Sequence, residues 1–343
     1  MPNILFFDAV SPHSYTSNSL TTRPMGASEA SLMRIARSLS REPGFVAAVF
    51  QLCDENRTEQ VIDGVLHVNG ESGFVPDVVV HQRTATFVEA MRDEYPKAKH
   101  VVWLHDAAGD WLKDEPLHLA DRIVCVSQWH RENILLGRTP PCASVLPDVV
   151  YNPIDLDNVA PETKVKGRLG FFSSPQKGLA QVCALFRDLK KDRPELELVV
   201  ANPGYLPDLV PPGVRFLGQL PRPAALKELS KCECLFYPQT VFPETFGCVL
   251  AEANALGVPV LSHDHGAAFE VLCGTEDNHN ANRVVDCTID GNAQQHLANL
   301  LLNTHYVPVA DPRFALSTVV QQWKQLLEGT YEAPTVPEPR QGG

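Results

Sequence analysis

The chain has 343 residues, 44% of them hydrophobic and 20% charged, a length that suits two domain cores of about 150 residues rather than one. Its net charge of −12 repels polyanions, which excludes nucleic acid as a partner class and, with no basic face evident for anionic lipid, leaves at most peripheral membrane contact. Nine cysteines without CxxC spacing read as reduced core thiols, and the start runs straight into Ile4-Leu5-Phe6-Phe7 without a basic leader region, so the expected location is cytoplasmic.

In chain order, apolar runs predict strands at 3–7, 45–50, 77–81, 100–104, 122–126 and 144–150, with helices at 28–40, 84–94 and 128–136 between them. Continuous apolar runs such as Val78-Val79-Val80 and Ile123-Val124-Cys125-Val126 are what strands buried on both faces look like. Asn152-Pro153 then breaks the chain, and 152–165 reads as a linker. The alternation restarts with strands at 168–173, 195–201, 213–217, 233–237, 258–262 and 283–287 and helices at 177–191, 222–231, 246–256 and 292–303. The expectation is an α/β chain of two doubly wound, Rossmann-like domains, 1–151 and 166–310, facing a central cleft. A last helix, 312–328, lies in a segment 311–330 that can pack on either domain, including back on the N-terminal one, and a Pro- and Gly-rich tail, 331–343, reads as disordered. No run nears the ~20 residues of a spanning helix. Neither GxGxxG after the first strand nor GxxxxGK[ST] occurs, which removes the main signals of a dinucleotide dehydrogenase and a P-loop NTPase.

The segment Phe242-Pro243-Glu244-Thr245-Phe246-Gly247-Cys248-Val249-Leu250-Ala251-Glu252 is the most informative. Pro243 and Gly247 bracket a turn after a strand, and a helix starts near Gly247. The unpaired N–H groups of a helix start carry the positive dipole end and suit an anionic phosphate. Glu244 stands just outside that start and Glu252 inside it, so two carboxylates flank one anion-sized site. Carboxylates touching a phosphate would repel it; on either side of it they accept from sugar and ribose hydroxyls. Taken alone, Glu252 is either an exposed helix residue or a buried one that needs a partner.

This segment resembles the E-x7-E signature of the retaining GT-B glycosyltransferases of family four, and the layout is similar over nearly the whole chain. The resemblance implies that Glu244 contacts the transferred sugar and Glu252 the nucleotide ribose, within a donor site that includes Thr245 and Phe246. The N–H groups of Gly247, Cys248 and Val249 would cradle the diphosphate. In Ser173-Ser174-Pro175-Gln176-Lys177-Gly178, Lys177 matches the family's diphosphate lysine. The family's arginine five residues earlier is replaced by Phe172, so Ser173, Ser174 or Arg222 is expected to supply the missing contact. His105, at the end of a strand, matches a histidine that reaches the donor sugar near the reacting carbon; a lone histidine is otherwise structural. Asp106 and Asp110 follow it, either as partners of acceptor hydroxyls or as helix caps. Gly26 closes a long polar loop, Ala9 to Ala27, that would meet the phosphate from the opposite domain as a mobile acceptor-binding element, with Ser28 capping the next helix.

The implied activity is transfer of a sugar from a nucleoside diphosphate sugar to a carbohydrate or glycolipid hydroxyl, with His105, Lys177 and Glu244 catalytic and neither metal nor other cofactor. His263-Asp264-His265-Gly266 with Glu270, and Asp155-Leu156-Asp157, are the segments that a metal reading would use. Two other readings are a catalytically silent nucleotide-sugar binder on the same fold and a nucleotide-sugar epimerase. A periplasmic binding protein is set aside for want of a leader.

Overall fold

The computed structural model describes residues 2–107, 115–134, 147–201, 210–287, 292–303 and 305–331. The first half folds as β1 (Asn3–Asp8), α1 (Ser19–Thr22), α2 (Ala27–Leu39), β2 (Val46–Gln51), β3 (Gln60–Ile62), β4 (Val65–His67), β5 (Val78–Gln82), α3 (Val88–Glu94), β6 (Lys99–Trp103), β7 (Arg122–Cys125), α4 (Gln128–Ile134) and β8 (Asp148–Val149). The second half contains β9 (Arg168–Phe172), α5 (Leu179–Asp192), β10 (Glu197–Ala201), β11 (Val214–Gly218), α6 (Arg222–Ser230), β12 (Cys234–Tyr237), α7 (Cys248–Ala255), β13 (Val260–His263), α8 (Ala268–Leu272), α9 (Glu276–Ala281), β14 (Arg283–Val285) and α10 (Asn292–Leu302), and α11 (Leu316–Glu328) ends the described chain.

Two sheets result, ordered β3-β4-β2-β1-β5-β6-β7-β8 and β11-β10-β9-β12-β13-β14. All pairings are parallel except β3 with β4. Strand order reverses beside β1 in the first sheet and beside β9 in the second, so the loops after Asp8 and after Phe172 lie at the switch points where open α/β sheets bind ligands. β5 is buried at every position, as its valine run requires.

The hairpin β3–β4 was not among the predicted strands, although its turn was legible. Asp63 and Gly64 both take positive φ (51° and 84°), the geometry that a two-residue Asp-Gly turn provides. Helix α3 starts four residues later than predicted because Thr84 and Thr86 bond Glu115 through their hydroxyls and hold a turn there. Helices α5 and α7 begin after Gly178 (φ 89°) and Gly247 (φ 82°), which cannot be helical, rather than at 177 and 246. Of the strand expected at 144–150, Asp148–Val149 is paired, and 144–146 lie outside the described residues, as does the tail from 332. Short helices α1, α8 and α9 carry too few apolar repeats to be seen in the sequence.

Helix α11 returns to the first domain. Trp323 packs edge-on against Trp103 at 4.7 Å and Phe6 at 6.5 Å, and Tyr331 donates to the Val149 carbonyl. The main apolar core is continuous through both halves, with Tyr151, Phe246 and Phe314 meeting at the junction. Among the described residues no helix is long and apolar enough to cross a membrane.

Candidate active site

The second switch point assembles around Glu244. The buried Gln239 shapes the loop after β12: its amide donates to the Phe242 carbonyl, and its oxygen accepts from the N–H groups of Val241 and Phe242. Gly178 lies so near that a Cβ there would sit 2.6 Å from the Gln239 Cβ. This contact brings Lys177 opposite Glu244, with Nζ 2.9 and 2.8 Å from the two carboxylate oxygens. Glu244 is only 4% exposed, and a buried carboxylate requires partners. Besides Lys177 it has Tyr237, whose hydroxyl donates to Oε1 at 2.6 Å. Burial, and then the neighbouring Glu244, hold the Tyr237 phenol well above its ordinary range. Lys177 also lies 4.5 Å over the Phe242 ring and keeps a partly exposed flank.

Beside this pair, α7 begins with Cys248 and Val249 amides that have no partner among the described residues. The carbonyls of Glu244 and Thr245, four residues before Cys248 and Val249, accept instead from the Ala267 N–H and the Ser127 hydroxyl. Gly247 is left-handed and close to Leu250. Gly266 (φ 81°) pairs with Glu244 in an isolated bridge, and a Cβ at 266 would come within 2.4 Å of the Glu244 carbonyl oxygen. Gly266→Ala is therefore expected to lower stability by at least about 1–2 kcal/mol through backbone strain and displacement of Glu244. An unchanged melting temperature would show that this contact gives way freely.

Glu252 is buried and paired. Arg222 bonds its Oε1, reaches Asp157 Oδ2 at 3.0 Å and donates to the Asp155 carbonyl at 2.8 Å. Arg34 of α2 meets the same Asp157 at 3.2 Å. Arg222 is thus committed to Glu252 and Asp157 rather than to the Ser173–Lys177 loop, where the sequence offered it as one replacement for the missing arginine. Asp157 is clasped by two guanidinium groups, and Asp155 accepts the Asp157 N–H at 3.0 Å. Among the described residues no group of three or more His, Cys, Asp or Glu side chains is placed to hold a metal ion.

Phe172, the departure from the family pattern, is 8% exposed and folds onto Gly170, where a Cβ would lie 2.7 Å from its ring. It belongs to the core and leaves the loop above it to Ser173 and Ser174. Ser173 Oγ is 3.3 Å from the Tyr237 hydroxyl, and the Ser174 carbonyl accepts the Lys177 N–H.

The first domain meets this site through backbone and buried groups. Thr245 donates to the His105 carbonyl at 2.6 Å and accepts from Ser127, so its side chain and carbonyl bind the opposing domain. The Phe246 side chain is packed between Tyr151 and Phe314. His105 is buried, its ring 4.5 Å from Trp103 and its Nε2 without a partner among the described residues. Burial, followed by the charges of Arg83 and His130, holds it well below the ordinary histidine range, so it is neutral near pH 7. The Asp106 carboxylate accepts from Arg83 at 2.8 and 3.1 Å. Asp110 lies outside the described residues.

Gly26, not Ser28, is the N-cap of α2, and the Ser28 hydroxyl turns to Glu29 instead. The loop from Ala9 to Ala27 is held rather than loose. Asp8 accepts from the N–H groups of Val10 and Ser11 and from the Tyr15 hydroxyl, while Gln51 brackets the Tyr15 backbone.

Two residues of the site escaped the sequence reading. Asp8 and Tyr237 each end an apolar strand at a switch point, a position that was a usable signal. Glu270 was named beside His263-Asp264-His265-Gly266, but its role was not read: its carboxylate caps α4 from the other domain, accepting from Gln128 and Trp129 N–H at 2.9 Å each and from the Tyr151 hydroxyl at 2.8 Å.

Solved structures with this fold include HepE of Anabaena in complex with UDP and glucose (18% identity, TM-score 0.65, 96% of this chain and 100% of that one). Sucrose-phosphate synthase of Thermosynechococcus elongatus (12%, TM-score 0.72, 96% and 99%) and a glycosyltransferase of Rickettsia africae (13%, TM-score 0.68, 96% and 98%) share it. The family described as glycosyl transferases group 1 matches residues 172–304, which span the Lys177 loop, the Glu244 turn and α7. The fold is that of the GT-B glycosyltransferases, and residues 172–304 resemble a group 1 glycosyltransferase domain. A phosphatidyl-myo-inositol mannosyltransferase of Propionibacterium freudenreichii subsp. shermanii is 35% identical over 108 residues, 32% of this chain. That match spans 28% of the mannosyltransferase. Within the group 1 domain lie both carboxylates, Lys177 and the α7 start, whereas His105 and Gly26 come from outside the matched residues.

Proposed function

We propose that this GT-B protein is a retaining glycosyltransferase that moves a sugar from a nucleoside diphosphate sugar to a carbohydrate or glycolipid hydroxyl at the cytoplasmic side. The observation that carries the reading is the Lys177–Glu244 pair set beside the unpaired amides of α7. HepE, with the same fold, was solved with UDP-glucose as well as with UDP and glucose, which supports a nucleotide sugar as donor. The diphosphate would lie against the Gly247, Cys248 and Val249 amides, and Lys177 would turn from Glu244 towards it. Glu244 is then released to the sugar hydroxyls, so donor binding exchanges one charge-assisted contact for two. Ser173 and Ser174 stand nearest Lys177 to donate to phosphate oxygens.

The chemical task is to stabilise charge developing on the departing diphosphate, which fixed amides and a lysine do without reorganisation. The acceptor oxygen attacks from the face that the diphosphate leaves, and its proton passes to the diphosphate. His105, neutral and buried, has an Nε2 without a partner among the described residues, which would turn to the donor sugar. The domain contacts through Thr245 and Glu270 would exclude water, the competing acceptor.

Incubation with a panel of sugar nucleotides and simple glycosides, read by mass spectrometry and by NMR of the product anomer, tests the reading. Transfer with retained configuration is expected, undiminished by EDTA because the amides and Lys177 do the work of a cation. Inverted product, or activity lost in EDTA and restored by magnesium or manganese, would overturn the mechanism.

A further inference from the structure

Behind Glu252 runs the buried quartet Arg34–Asp157–Arg222–Glu252, drawn from α2, the linker, α6 and α7. Its side chains are 2%, 6%, 17% and 11% exposed, so its two positive and two negative charges are shielded from solvent and couple strongly. Arg222 bonds Oε1 of Glu252, and among the described residues it makes no hydrogen bond to Oε2. The direction of Arg222 is in turn fixed by the linker, through Asp157 Oδ2 and the Asp155 carbonyl. The linker presents Asp157 in a left-handed conformation (φ 50°), followed by a second left-handed residue, Asn158 (φ 61°). Such paired non-glycine conformations are costly and persist only where the surroundings enforce them. Arg34 does so from the first domain, with Nη2 3.2 and 3.4 Å from the two Asp157 oxygens.

We propose that Asp157 is a positioning residue for the donor ribose, acting through Arg222 to aim the Glu252 carboxylate. The proposal rests on the reading of Glu252 as the group that accepts from the ribose hydroxyls. A carboxylate recognises a vicinal diol by two directed hydrogen bonds, so its orientation decides how much each hydroxyl contributes. With Asp157 neutralised, Arg222 loses one of three fixed contacts and draws Glu252 out of register. The ribose contribution then falls, while contacts to the diphosphate, made elsewhere by Lys177 and α7, stay. Arg34 extends the same chain, so ribose recognition senses whether α2 of the first domain is in place.

The test is calorimetry with UDP, GDP and ADP, carrying the tightest binder forward with its 2′,3′-dideoxy analogue. In the wild-type protein the analogue is expected to bind about tenfold more weakly, and in Asp157→Asn that gap is expected to shrink to about twofold. Affinity for the dideoxy analogue should be nearly unchanged, a pattern that mere loosening of the fold would not produce. In Glu252→Gln, further loss of Asp157 should change nothing, because the two act in series. Arg34→Lys, which keeps the charge but not the reach, is the second variant and is expected to narrow the gap partly. A full gap in folded Asp157→Asn, or in folded Arg34→Lys should Asp157→Asn fail to fold, overturns the positioning role and leaves the donor site standing. If the wild-type protein binds none of the three nucleotides, or shows no gap, the reading of Glu252 falls and this inference with it.

Discussion

Glu244→Ala is expected to lower kcat/KM by about two orders of magnitude or more, about 3 kcal/mol of lost transition-state stabilisation. The carboxylate is 4% exposed and holds two partners, Lys177 at 2.8 Å and the Tyr237 hydroxyl at 2.6 Å. Removing it deprives the sugar of an acceptor and lets Lys177 drift from the α7 start, so two contributions are lost together. Folding should suffer less. The Lys177 side chain is 27% exposed and can be hydrated, and the Tyr237 hydroxyl still lies 3.3 Å from Ser173 Oγ. Glu244→Gln keeps the shape and the phenol contact without the charge, and should fall between the two. The checks are steady-state kinetics and a melting curve for each variant. A folded Glu244→Ala protein with near-full turnover would contradict the assignment.

The second large effect is acid instability. Five histidines are buried: His67, His81, His100, His105 and His130. Burial is the leading cause that lowers each of them, His67 and His130 to about 4 and His81 to about 3. Arg57 adds to the effect at His67, and the His100 ring 3.0 Å away adds to it at His81. The sign follows from proton counting. Below about pH 6.5 the unfolded chain takes up protons that the folded state refuses, so stability is complete above that pH and falls as pH drops towards the folded values. Each histidine lowered to about 4 or below contributes up to ~1.4 kcal/mol per pH unit, or ~2 kcal/mol by pH 5. The three with assigned values sum to ~6 kcal/mol, an appreciable share of the ~5–15 kcal/mol that holds a domain folded. Urea midpoints at pH 7.5, 6.5 and 5.5 are expected to fall slightly over the first step and about threefold more over the second. An even midpoint down to pH 5.5 would mean that these rings are protonated in the folded state.

The periodic part of the molecule was plain in the sequence. Runs such as Val78-Val79-Val80 define buried parallel strands because side chains on both faces must be apolar, and the E-x7-E segment placed two carboxylates about a helix start. The boundaries moved where backbone geometry outranked side-chain pattern, as at Gly178 and Gly247, whose positive φ delays α5 and α7. Phe172 was legible as a departure but not in its consequence. Its ring lies on Gly170, a contact between i and i+2 on one face of a strand that appears once the strand is known to be β9. Contacts between residues far apart in the chain were not legible. Nothing local in Thr245, Glu270 or Asp157 says that one bonds His105, another caps α4 and the third holds Arg34, because these partners lie 140, 142 and 123 residues away.

Hydrogen–deuterium exchange of the wild-type protein, with and without saturating nucleoside diphosphate, locates the donor most directly. The account predicts slowed exchange confined to peptides covering 173–179 and 244–252, lost from both in Lys177→Met. Protection elsewhere, with those two segments unchanged, would contradict the placement of the donor at the Lys177–Glu244 pair and the start of α7.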